Sequence, residues 1–196
     1  MKHLQLFEEF KIKPRAVDVP VYSTGQRPVT ANNQKVIRKQ DVIVATSDTI
    51  KQIVRDEIKR LGKDADLNHI NTSQVTDMHC LFMDTDFQGD VSQWDVSNVK
   101  DMTSIFYKCS NFNCDLSKWN VGSVENMSFM FFGCKNFNSD ISGWDVSKVT
   151  DMCCMFAGCI NFNQDLSSWD VRNVKDMNWM FDECSIKNTF KPKFNI

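Results

Sequence analysis

Apolar residues along the second half of the chain fall at two alternating spacings, and the whole pattern returns every 25 residues. Val99, Met102, Ile105, Phe106 and Cys109 stand at i, i+3, i+6, i+7 and i+10, the spacing of one helical face. Val124, Met127, Met130, Phe131 and Cys134 repeat it, then Val149, Met152, Met155, Phe156 and Cys159, then Val174, Met177, Met180, Phe181 and Cys184. The segment ahead of each set, Asp90-Val-Ser-Gln-Trp-Asp-Val in the first full copy, alternates apolar and polar residues and is too short for a helix. It predicts a very short strand followed by a turn, with strands of successive copies forming a narrow parallel sheet.

Four full copies begin at Phe87, Phe112, Phe137 and Phe162, and Trp94, Trp119, Trp144 and Trp169 keep the same register. A degenerate copy precedes them, with Asp66, Leu67, Ile70, Val75, Met78 and Phe82 in the corresponding places. Such self-similarity is the signature of stacked coils, in which an edge coil is atypical because it matches one neighbour only. The expected fold is an α/β solenoid of about five coils over residues 63–187, built of short parallel strands and short helices. Residues 47–62 read as a helix that caps the weakest coil: Ser47 or Asp48 opens it, Ile50, Ile53, Val54, Ile58 and Leu61 form its stripe, and Gly62 closes it. Residues 1–46, with Pro14, Pro20, Pro28 and the candidate strand Asp41-Val-Ile-Val-Ala45, read as a partly ordered arm, and 188–196 as a tail whose Phe190 and Phe194 cover the last coil.

Repetition also decides what the conspicuous side chains are for. Trp94, Trp119, Trp144 and Trp169 are expected to fill the core, and Cys109, Cys134, Cys159 and Cys184 to be small, buried, reduced residues of one inward column. Asp90, Asp115, Asp140 and Asp165 would form a ladder of like charges, offset if each carboxylate accepts backbone N–H bonds in its own turn. A calcium ladder is the sharper alternative, but the closely spaced carboxylates of an EF-hand are missing.

Charge divides the chain. Residues 1–63 carry 13 Lys or Arg against 7 Asp or Glu, and residues 87–186 carry 7 against 13. An acidic body repels phosphate backbones, and the basic arm lacks dense Lys/Arg clustering, so no nucleic-acid partner is expected. No apolar run is long enough for a membrane span, and two acids interrupt the opening residues where an export signal would be apolar. His3, His69 and His79 are the three histidines, and they form no catalytic or metal-ligand constellation with the repeat. The expectation is therefore no enzyme activity, no cofactor and no metal.

The unit Phe-Asn-x-Asp-Leu-Ser-x-Trp-Asp-Val-x-x-Val-x-Asp-Met-x-x-Met-Phe of residues 162–181 resembles the repeat of BspA-like bacterial surface proteins and mycoplasma-type lipoproteins, relatives of the leucine-rich repeats. The resemblance covers residues 63–187. It implies a right-handed leucine-rich-repeat-like stack and a role in adhesion or protein contact. A signal peptide, a lipid-attachment cysteine and a wall anchor are not read in this sequence, so the expected location is cytoplasmic or virion-associated, with surface display only by a non-classical route. Leu6-Phe-Glu-Glu-Phe10 is also similar to the starts of some tailed-phage proteins.

Specificity is expected where copies differ. The position two residues after the first methionine reads Cys80, Ser104, Phe129, Cys154 and Trp179, and the one after the following phenylalanine reads Met83, Tyr107, Phe132, Ala157 and Asp182. Phe129 and Phe132 either pack against the N-terminal arm or expose an apolar docking patch with Tyr107 and Trp179, which makes these four the candidate binding residues, while Leu6, Phe7 and Phe10 are candidates for docking the arm, on a partner or on the coils. The expected function is a non-enzymatic protein-interaction or adhesion module, self-association included. The alternative is a structural or accessory component of a phage virion or other large assembly.

Overall fold

A computed structural model describes residues 42–194. Leu6, Phe7, Phe10 and most of the arm lie outside the described residues. The first elements are strand β1 (Ile43–Thr46), helix α1 (Ile50–Leu61) and strand β2 (Ile70–Gln74). β1 pairs in parallel with β2, with Ile43 opposite Ile70.

α1 forms because Ile50, Val54 and Glu57 recur on one buried face, with Ile53 and Ile58 packed beside them. Leu61, expected in the apolar stripe, is 39% exposed. Thr49 is the N-cap residue, without a side-chain capping bond, because its hydroxyl takes the Thr46 N–H. Ser47 instead accepts the Thr76 N–H at 2.9 Å and so ties the start of the helix to the first copy. Gly62 ends it at φ +94°, a conformation natural to glycine, and its N–H reaches the Ile58 carbonyl at 2.8 Å. Two polar chains fasten the helix further. Lys51 Nζ lies 2.7 Å from His79 Nε2, whose Nδ1 is 2.7 Å from Asp77, and buried Glu57 bonds both His69 and Arg60.

From residue 75 onward the copies lie rung on rung. Isolated parallel bridges join Asp77 to Asp101, Asp101 to Asn126, Asn126 to Asp151, and Asp151 to Asp176. The N–H groups of Met102, Ser104, Phe106 and Lys108 donate to the carbonyls of Asn126, Ser128, Met130 and Phe132 in the next copy, at 2.6–3.0 Å. The amides between them, on Ile105, Tyr107 and Cys109, turn back three residues to Met102, Ser104 and Phe106. Alternate amides thus hold the copy together and bind it to its successor.

This arrangement corrects two local expectations. The helix expected in the second half of each unit is replaced by successive turns, because an α-helix would consume every amide internally through i→i−4 bonds. Left-handed residues at Ser104, Lys108, Phe129, Gly133, Cys154 and Gly158, with φ of 55–74°, also exclude it. Turns closing every three residues place the same side chains inside as a helical face does, and Val99, Met102, Ile105, Phe106 and Cys109 are fully buried. In the first half of the unit, no strand forms at Asp90-Val-Ser-Gln-Trp. One parallel bridge, Asp66 to Asp90, stands there, and the chain turns at Ser92 and Gln93.

The core is a set of ring columns. Phe82, Phe106, Phe131 and Phe156 stack at 5.3–5.7 Å, and a second column runs through Phe87, Phe112, Phe137 and Phe162 at 5.7–6.2 Å. The columns interlock where Phe106 meets Phe112, and Phe131 meets Phe137, at 3.9 Å. Trp94, Trp119, Trp144 and Trp169 are buried, and each indole N–H donates into the preceding copy, to Leu67, Val91, Leu116 and Ile141 carbonyls at 2.9–3.2 Å. The thiols of Cys109, Cys134 and Cys159 donate backwards likewise, to Phe82, Phe106 and Phe131 carbonyls. Cys184 is half-buried, and all eight cysteines are free. At the far end a short 3-10 turn (Asn188–Phe190) occupies the place of a next copy, its Phe190 carbonyl accepting the Leu166 N–H at 2.8 Å, while Phe190 and Phe194 pack on the core.

Asp90, Asp115, Asp140 and Asp165 each accept the backbone N–H two residues on, at 2.8–3.0 Å. These bonds help hold all four carboxylates below their ordinary range, as Ser97 does for Asp95 and Ser147 for Asp145. A group whose folded pKa is depressed stabilises the fold above its unfolded value and stops doing so as pH falls through the folded one, so stability should decline below about pH 4. Asp151 behaves oppositely: burial, with Asp176 and Asp101 nearby, raises it. Asp151→Asn is therefore expected to raise the unfolding midpoint at pH 7. Asn126, one copy earlier, already accepts the equivalent Ser128 N–H at 2.9 Å, as Asp151 accepts that of Cys153. The gain should vanish as pH falls through the raised Asp151 value, where the wild-type side chain becomes neutral. Thermal melts from pH 7 to 3.5 check this, and an unchanged or lowered midpoint at pH 7 would contradict it.

Candidate functional site

The repeat sets each column, so a departure from the column marks a position freed from packing. Phe129 and Trp179 occupy the column that carries Cys80, Ser104 and Cys154 elsewhere. All five are left-handed, at φ 55–58°, because the turn sequence demands it. Bulky residues rarely adopt this backbone, so two aromatic side chains here are held against local preference.

Three of the four candidate binding residues meet. Tyr107 stacks on Phe132 with centroids 4.9 Å apart and planes 13° apart, and Phe129 lies 6.4 Å from Tyr107 and 6.0 Å from Phe132. Tyr107 is buried, while Phe129 and Phe132 are half-buried. Lys108 Nζ sits 5.0 Å from the Tyr107 ring centroid and 3.9 Å from Asp84, which fixes a cation at the edge of the cluster. Trp179 is not part of the cluster. It stands two copies further along the same column and is 61% exposed, the largest exposed aromatic surface among the described residues. Beside it Met177, Phe181, Lys191 and Phe194 line a hollow of about 420 Å³, with Lys191 Nζ 5.5 Å from the Phe181 ring.

A furrow of about 650 Å³ runs along the rungs next to the aromatic cluster. Its floor is Gly133, Ala157 and Gly158, and its sides include Phe132, Lys135 and Ile160, the last 50% exposed. Lys108 stands at one end, and Asp182 and Glu183 at the other. Phe132 is a candidate from the sequence, whereas the residues that open the furrow are not. Their one signal was the pair of glycines where other copies have Asp84, Lys108 and Glu183.

Burial pushes the Cys109 thiol up to about 11, and Cys114 and Cys153 to about 12, so these sulfurs are poor nucleophiles near neutrality. Among the described residues no group of three His, Cys, Asp or Glu side chains could hold a metal ion.

A family model described as "Mycoplasma protein of unknown function, DUF285" matches residues 50–142 and 115–196. The chain belongs to this family. The two DUF285 matches overlap at 115–142, as copies of one repeat allow, and together they take in α1, every copy of the unit and the C-terminal tail. No curated protein and no solved structure matches the chain. Among the described residues no helix is long and apolar enough to cross a membrane.

Proposed function

We propose that this DUF285 chain is a non-enzymatic protein-interaction module, built as a right-handed solenoid of the BspA-like, leucine-rich-repeat-related kind, that binds a protein partner through its variable aromatic face. The observation that carries the reading is the placement of the aromatic outliers. Phe129 and Trp179 occupy a column where other copies keep cysteine or serine and both hold a left-handed backbone, while Phe132 lies beside Phe129 in a column that changes from copy to copy. Aromatic side chains left at a surface, beside a 650 Å³ furrow, are the usual anchors of a protein interface. The rung-to-rung bonding supports the solenoid part of the reading, since each copy contacts its neighbours in sequence.

The test is partner capture by the full chain from the cells that make it, compared with a Phe129→Ala/Phe132→Ala/Trp179→Ala variant. The variant should lose the captured species while its unfolding midpoint falls only modestly, because none of the three side chains belongs to the inner ring columns. Undiminished capture by a folded variant would remove the aromatic face as the binding surface.

A further inference from the structure

The furrow is made by subtraction. In one column Tyr107 and Phe132 are followed by Ala157, and in the adjoining column Lys108 is followed by Gly133 and Gly158 before Glu183 restores a side chain. One copy, Ala157-Gly158, thus lacks bulk in both columns and the copy before it in one, and the notch runs from Lys108 to Asp182 and Glu183. Lys108 has Asp84 at 3.9 Å, and Lys135 adds a second cation one copy further in, beside Gly133. Between the two ends the wall is apolar, formed by Phe132 and Ile160.

Deepening the protein-binding reading and resting on it, we infer that this furrow seats an extended peptide segment of the partner, with an apolar side chain at its centre and charges of opposite sign on either side. Lys108 and Glu183 are separated by three rungs, about 14 Å at the usual strand spacing, and an extended chain advances about 3.3 Å per residue, so the two charges fall about four residues apart. The pattern is acid-x-apolar-x-base, read in either chain direction. The acid meets Lys108 and Lys135, the base meets Asp182 and Glu183, and the apolar residue lies over Ala157 between Phe132 and Ile160.

Ala157→Phe tests this without altering the repeat, because phenylalanine already stands at the same column in Phe132 and there stacks on the ring before it. The probes are two fluorescein-labelled peptides, Glu-Ala-Leu-Ala-Arg and the uncharged Gln-Ala-Leu-Ala-Gln, titrated with the full chain and followed by anisotropy. The charged peptide should bind saturably and at least about fivefold more tightly than the uncharged one, and Ala157→Phe should abolish the difference with an unchanged unfolding midpoint. Lys135 makes no ion pair among the described residues, so Lys135→Glu leaves the fold intact and should move the preference toward Arg-Ala-Leu-Ala-Arg. Absence of saturable binding by either peptide, or equal binding by wild type and Ala157→Phe, overturns the furrow assignment. Neither result touches the aromatic face, whose own failure would be undiminished capture by the Phe129/Phe132/Trp179 variant.

Discussion

Replacing Trp144 with alanine is expected to cost about 3–5 kcal/mol, the usual range for removing a buried indole. Trp144 is buried, stacks on Trp169 at 6.4 Å with planes 6° apart, and meets Phe131 at 6.3 Å. Its indole N–H donates to the Leu116 carbonyl at 3.1 Å, so the substitution removes one of two bonds to that acceptor, the Trp119 N–H at 3.0 Å remaining. A domain's whole stability is about 5–15 kcal/mol, and a central copy that fails to pack withdraws support from both neighbours. Trp144→Ala should therefore unfold at much lower urea. Trp144→Phe separates the contributions: it keeps a ring in the column and loses the bond, and should cost roughly 1–3 kcal/mol less than the alanine variant. Equal midpoints for wild type and Trp144→Ala in urea titrations would refute the core assignment.

Cys109, Cys134 and Cys159 should be protected from thiol reagents by about a thousandfold or more relative to the unfolded chain. Each sulfur is buried, donates to a carbonyl of the preceding copy at 2.9–3.0 Å, and has its pKa driven upward by desolvation. Reaction then requires the rung to open, and an opening free energy of about 4 kcal/mol or more suppresses the reactive population by roughly that factor. Cys80 and Cys184 are half-buried, without the strong upward shift of Cys114 and Cys153, and should label first. Time-resolved labelling read by peptide mass spectrometry gives the order. Early labelling of Cys134 in the folded chain would mean that the central rungs are looser than their bonding indicates.

The inward columns were readable because four copies repeat them: phenylalanine, valine, methionine and cysteine positions recur, and side chains that recur in register are packing. The backbone path was not readable from the same positions. Turns closing at i−3 and a helix closing at i−4 bury nearly the same residues, so Val99 to Cys109 satisfied either, and the deciding left-handed residues include Ser104, Lys108 and Phe129, whose types give no warning of a positive φ. At the site the contrast is similar. Phe129 and Phe132 stood out as more aromatics than one inward stripe needs, whereas the furrow consists of side chains that are missing, and Gly133, Ala157 and Gly158 carry no chemistry by which to notice them.

The alternating amides have a consequence for how such a chain can grow. Because each copy spends half of its second-half N–H groups on itself and half on its successor, the sequence separation closed by a new rung is nearly constant, 23 residues at the first rung and 24 at each later one. Loop-closure entropy depends on that separation and not on total length, so an added or deleted copy changes the number of rungs without making any one of them harder to form. Copy number is then a free variable for evolution, while the variable columns, carried along unchanged in register, decide what each added rung displays.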